Sequence, residues 1–140
     1  MVQKYLRWTG ESKGVSRMIL DEFEVVHFSN HQFRLMYKLA LDIGEEVAES
    51  VIEKRWITNF KNREQESEPP DEDWCIEEGF EAKELLFWSK VFEEVAIRLH
   101  RNEEVFYKDD HSSKAQVYGI HIFIALSLMF EKCANRKLSS

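Results

Sequence analysis

Apolar residues along this chain recur mainly at steps of three and four, the period of one helix face. The longest such stripe comprises Phe33, Met36, Tyr37, Ala40, Ile43, Val47, Val51, Ile57 and Phe60. It predicts a helix that starts at the Ser29-Asn30 break, where either side chain can accept from free amides. Thirty-odd helical residues would reach about 50 Å. That is long for a small domain, so a kink is expected. Gly44 marks the place for it, or for a close helix contact. A second stripe, Ile76, Phe80, Leu85, Trp88, Val91, Phe92, Val95 and Leu99, predicts a helix that opens after an Asp71 cap and fades near Arg101-Asn102. Glu72 and Asp73 lie in its expected first turn, where the helix dipole favours negative charge. Ser112 or Ser113 can cap a last helix that runs to about Lys132. Its centre, Ile120 to Phe130, is apolar nearly all round, as suits the middle of a bundle.

Two segments read differently. Residues 1–14, with Gly10 and Gly14, suggest an irregular N-terminal arm. Val15, Met18, Ile19, Leu20, Phe23, Val25, Val26 and Phe28 fit a helix with Ser16 as a cap, although Phe23 to Phe28 also alternates as a strand does. The helix is the favoured reading. Between the second and third helices, residues 63–73 form an acidic linker whose Pro69-Pro70 stops a helix. The expected fold is therefore all-α: a single domain over 1–140, a bundle of about four helices with a central apolar C-terminal helix.

Composition supports a packed core. Of 140 residues 44% are hydrophobic, with ten Phe and four Trp, enough to argue against global disorder. The two cysteines, Cys75 and Cys133, form no regular spacing and fit a reducing compartment. The N-terminus lacks the apolar run of a secretory leader, and the longest mainly apolar run, Val117 to Phe130, is too short to span a bilayer. A cytoplasmic protein without membrane association is expected.

Charge narrows the partners. The formal net charge is −7, which gives no general attraction for nucleic-acid phosphates or anionic lipids. The best basic patch, Lys54, Arg55, Lys61 and Arg63, is diluted in sequence by Glu53, Glu64 and Glu66. Direct nucleic-acid binding is therefore not expected. An acidic surface favours basic partners or divalent cations instead.

Four groups of residues are candidates for chemistry. Glu45, Glu46, Glu49 and Glu53 share one helix, and Glu77, Glu78 and Glu81 begin the next. Acids three or four apart share a face, and two such faces could hold Mg²⁺ or Mn²⁺. Glu46-xx-Glu49 and Glu78-xx-Glu81 are similar to the ExxE and ExxD pairs of all-α nucleotide pyrophosphohydrolases, although the second pair here ends in Glu. The bland alternative is a pair of solvated helix faces, since acids make up 26 of the 140 residues. His27 and His31 have a zinc-compatible spacing, but the Ser29-Asn30 break falls between them. His100 with Glu104, and His111 beside Asp109 and Asp110, are weaker combinations, and His121 reads as a hydrogen-bonded core histidine. Cys75 follows Trp74 at a predicted helix start that can lower a thiol pKa, yet the surrounding acids oppose this, so a small buried residue is expected. No GxSxG elbow and no glycine-rich phosphate loop are present.

The fourth group is the linker itself. Glu64, Glu66, Glu68, Asp71, Glu72 and Asp73 precede Trp74. Carboxylates steer a cationic partner and an aromatic supplies desolvated area; a solvated, aggregation-resistant connection is the alternative. In size, charge and lack of motifs the chain resembles bacterial immunity proteins. That resemblance implies a non-enzymatic inhibitor, with no cofactor, that blocks the positive cleft of a basic partner such as a toxic nuclease. Two other readings are a Mg- or Mn-dependent nucleotide pyrophosphohydrolase using Glu46, Glu49, Glu78 and Glu81, and a helical adaptor or regulatory subunit. Sequence does not set the oligomeric state.

Overall fold

The computed structural model of the chain describes residues 6–12, 15–20, 24–62, 75, 79–101, 103 and 113–139, with side chains from residue 36 to 62, at 75, 79–101 and 103, and from 119 onward. Three strands come first: β1 (Leu6–Ser12), β2 (Val15–Leu20) and β3 (Glu24–Ser29). They form an antiparallel sheet in the order β1-β2-β3. Among the described residues four longer helices follow, α1 (Asn30–Val47), α2 (Val51–Asn62), α3 (Ala82–His100) and α4 (Ser113–Ser139), and Cys75, between α2 and α3, is also helical.

The four helices bear out the expected helical bundle. The sheet is an addition to it and corrects the reading of the N-terminal segment. Where an arm (1–14) and a helix (15–28) were expected, the backbone makes a meander. Trp8 pairs with Met18, Met18 with Val26 and Val15 with Ser29, and the register shifts between Trp8 and Gly10. The physical reason is visible in the residues. Val15, Ile19, Val25 and Val26 are β-branched, which favours the pleated backbone, and the alternation from Phe23 to Phe28 was the truer signal. The Ser29-Asn30 break holds, with β3 ending at Ser29 and α1 starting at Asn30.

The long second helix is in fact two. Its break lies at Ala48–Ser50, one turn beyond Gly44. Gly44 instead marks a close contact: a Cβ there would stand 3.3 Å from Cζ3 of Trp88 on α3. The break is made by a reciprocal cap. The Glu53 amide donates to Ser50 Oγ at 3.1 Å, while Glu53 Oε1 accepts from the Ser50 amide at 3.1 Å and from the Glu49 amide at 3.1 Å. Such a capping box satisfies amides that would otherwise be orphaned at a helix start.

The third helix begins later than its apolar stripe. It starts at Ala82, with Glu81 at the N-cap position. Just before it Gly79 has φ +69°, a left-handed conformation in which glycine avoids the usual Cβ clash. The expected cap, Asp71, lies outside the described residues. The C-terminal end falls at His100, close to expectation. The last helix runs to Ser139, beyond the expected Lys132.

Among the described residues a central position of the C-terminal helix is not shown. α1, α2 and α4 all pack against α3, whereas α4 packs mainly on α3 and also meets β1. α3 buries Leu85, Phe87, Trp88, Val91, Phe92, Val95, Ala96 and Leu99, while α4 leaves Leu128, Glu131 and Lys132 exposed.

An aromatic chain crosses the bundle. Tyr37 of α1 meets Phe60 of α2 at 6.1 Å between ring centroids, Phe60 meets Trp88 of α3 at 4.2 Å, and Trp88 meets Phe92 at 6.2 Å. Phe92 then meets Phe130 of α4 edge-on at 4.9 Å. Pairs at these separations add roughly 0.5–1.5 kcal/mol each beyond the area they bury. The Trp88 indole N–H finds no hydrogen-bond acceptor among the described residues. Between α3 and α4, the buried Ser89 hydroxyl donates to the Ser127 carbonyl at 2.8 Å, which satisfies a polar group inside the core. Near the C-terminus the Lys137 ammonium donates to the Phe80 carbonyl and ties α4 to the turn before α3.

Candidate functional site

α1 and α2 present outward faces of opposite charge. On α1 the exposed acids Asp42, Glu45 and Glu46 share one side with the exposed Lys38, and the exposed Glu49 follows at the corner after Val47. The opposite side of α1 is buried through Met36, Tyr37, Ala40 and Ile43. The core therefore holds the acidic stripe toward solvent.

One member of the stripe is already engaged. The Arg98 guanidinium of α3 grips Glu46 with both forks, Nη1 to Oε2 at 2.8 Å and Nη2 to Oε1 at 3.0 Å. Its Nε donates to Glu94 Oε1 at 3.1 Å, one turn earlier on α3. The hydrogen bonds from Arg98, and then its charge, hold the Glu46 carboxyl below its ordinary value. Reciprocally, the hydrogen bond to Glu46 raises the Arg98 pKa against the opposing effect of burial. The cluster clasps α1 to α3. Asp42, Glu45 and Glu49 remain outward, and among the described residues no ion pair neutralises them.

This geometry bears on the metal reading. Glu46 lies against Arg98, and Glu81 caps the other end of the same helix. The rise between positions 81 and 98 is about 25 Å at 1.5 Å per residue, far more than one cation spans with ligand distances of about 2–2.6 Å. Glu46 and Glu81 therefore do not share an ion, and any cation at Glu46 must displace a bidentate guanidinium. Glu49 sits at the α1–α2 corner, and Glu78 lies outside the described residues. Among the described residues no group of three or more His, Cys, Asp or Glu is placed to hold a metal ion.

Other candidates fall as follows. Glu64, Glu66, Glu68, Asp71, Glu72, Asp73 and Trp74 lie outside the described residues, as do Glu104, Asp109, Asp110 and His111. His27 is on β3 and His31 on α1, so they do not share a helix face. His100 is exposed at the end of α3, and His121 is half-buried on α4. Cys75 is wholly buried within the hydrophobic core, as is Cys133. The Arg98 clasp was missed in the sequence, although Glu94-xxx-Arg98 carries the signature of an i,i+4 pair. Ser50-Val51-Ile52-Glu53 likewise spells a capping box that could have located the helix break. No helix among the described residues is long and apolar enough to cross a membrane. No protein-family model matches the chain, and neither does any curated protein or solved structure.

Proposed function

We propose that this chain is a non-enzymatic acidic binding protein of the cytoplasm, an inhibitor or immunity protein that neutralises a basic partner such as a toxic nuclease. The observation that carries the reading is the outward acidic stripe of α1. Asp42 and Glu45 project to solvent from a helix whose other side is buried in the core, and the exposed Glu49 follows at the corner into α2. Carboxylates on a rigid support can occupy the phosphate positions of a basic cleft at little ordering cost. The acidic linker Glu64, Glu66, Glu68, Asp71, Glu72 and Asp73, followed by Trp74, extends the negative charge directly after α2 and is the second contact of the proposed interface.

The test is affinity capture from lysate of the source organism, washed at low and then high salt, with charge-reversed variants in parallel. A basic protein should be held at low salt. Reversal across residues 66–73, or of Asp42, Glu45 and Glu49 to Lys, should release it without lowering the melting temperature. Retention of the same partner by both variants would refute the assignment.

A further inference from the structure

The outward face of α2 has the opposite sign. Lys54, Arg55 and Lys61 are all exposed and share one side with Thr58. None of the three cations forms an ion pair with a described carboxylate. In sequence this patch is diluted by Glu53, Glu64 and Glu66, of which the last two lie outside the described residues. In the fold Glu53 turns back, and its carboxylate accepts the amides of Glu49 and Ser50. The cap thus leaves a basic face on an acidic protein. Two apolar side chains are exposed in the first turn of α2, Val51 at 75% on the side of Lys54 and Ile52 at 56% further round the helix, next to Arg55. Nothing in the packing of α2 needs them there, because its core contacts are made through Ile57 and Phe60.

We infer that this face docks a short acidic helical segment of a partner protein, with carboxylates over Lys54, Arg55 and Lys61 and an apolar side chain against Val51 and Ile52. Lys54 and Lys61 lie two helical turns apart, about 10 Å, a span that acids at i and i+7 on a facing helix can meet, with Arg55 beside the first of them. The apolar pair gives such a segment desolvated contact area, as a helix in a shallow groove requires. A nucleic acid or an anionic bilayer matches less well. Each presents a continuous field of negative charge to a protein of net −7, and the repulsion acts beyond the patch. A limited acidic segment meets the local cations first, within a screening length of about 8 Å. This face is independent of the acidic reading, which uses other residues and the other charge.

The experiment is selection of a displayed library of random helical peptides on the whole protein, with counter-selection on K54E/R55E/K61E. Peptides with acids at helical spacing and a Leu, Ile or Phe at one end should be enriched. Their affinity should fall on the order of tenfold on the charge-reversed protein, the sum of several solvent-exposed pairs. It should fall by a smaller factor on V51S/I52S. Both variants should keep the wild-type melting temperature, since every altered side chain points to solvent. Three results overturn the proposal: no enrichment of acidic peptides over neutral ones, equal binding to the charge-reversed protein, or binding of phosphatidylglycerol vesicles or single-stranded RNA where acidic peptides fail. Failure of the acidic stripe to hold a basic partner leaves this result unaffected.

Discussion

α2 and α3 are both amphipathic, yet they do opposite work. α3 sends its side chains into neighbours on three sides and buries Leu85, Trp88, Phe92, Val95 and Leu99 among others. α2 buries only Ile57 and Phe60, with Trp56 half-buried against Phe87 at 5.7 Å between rings. One helix holds the fold, and the other is held by it. A helix anchored by so few side chains can vary its outward half with little effect on the core. That freedom is what a surface for partners requires.

The sharpest break of this comparison is Trp88→Ala. The indole is fully buried against Phe60, Phe87 and Gly44, so its removal should cost about 3–5 kcal/mol in denaturant unfolding. Trp88→Phe should recover much of that loss, because it also deletes a buried N–H without an acceptor. Equal losses for the two would mean the aromatic contacts count for little. Next comes Gly44→Val. Its added carbons meet the Trp88 ring, and the overpacking should cost about 1–3 kcal/mol. An unchanged melting temperature would show that α1 and α3 can separate without strain.

Ser50→Ala removes half of the reciprocal cap that starts α2. A loss of about 1 kcal/mol is expected, concentrated in faster amide exchange along α2 and not along α3. Uniform exchange would erase the distinction between the two helices. The smallest effect belongs to Glu46→Gln. The Arg98 hydrogen bonds hold the Glu46 carboxyl below its ordinary value. A carboxyl depressed in the folded state contributes its stability above the unfolded pKa, and loses it as pH falls through the folded one. The melting-temperature difference between wild type and Glu46→Gln should therefore be present at neutral pH and shrink as the pH falls through and below the ordinary carboxylate range. A difference that persists in stronger acid would assign the effect to packing of the side chain and not to its charge.

Much of the helical body was legible from the chain. Apolar steps of three and four located α1, α3 and α4, and Ser29-Asn30 marked the start of α1. The N-terminal sheet was not legible. Val15 to Phe28 satisfies a helical spacing while Phe23 to Phe28 also alternates as a strand does, and only pairing with a neighbour decides between them. The site was legible as charge but not as arrangement. Glu46 reads as one more acid in a row, and Arg98, far along the chain, singles it out. Glu53 reads as dilution of a basic patch until its carboxylate is seen turned to the helix start.

The sequence alone determined what depends on neighbours a turn away: helix periods, the helix start at Ser29-Asn30, the supply of aromatic core and the net charge of −7. The tertiary structure alone decided that α1, α2 and α4 all pack on α3, that Trp88 lies against Gly44, and that Glu81 is a helix length away from Glu46. The reason is physical. Local patterns are set by backbone geometry over three or four residues. Which faces meet is set by packing among residues distant in the chain, and a periodic stripe names the buried face without naming what covers it.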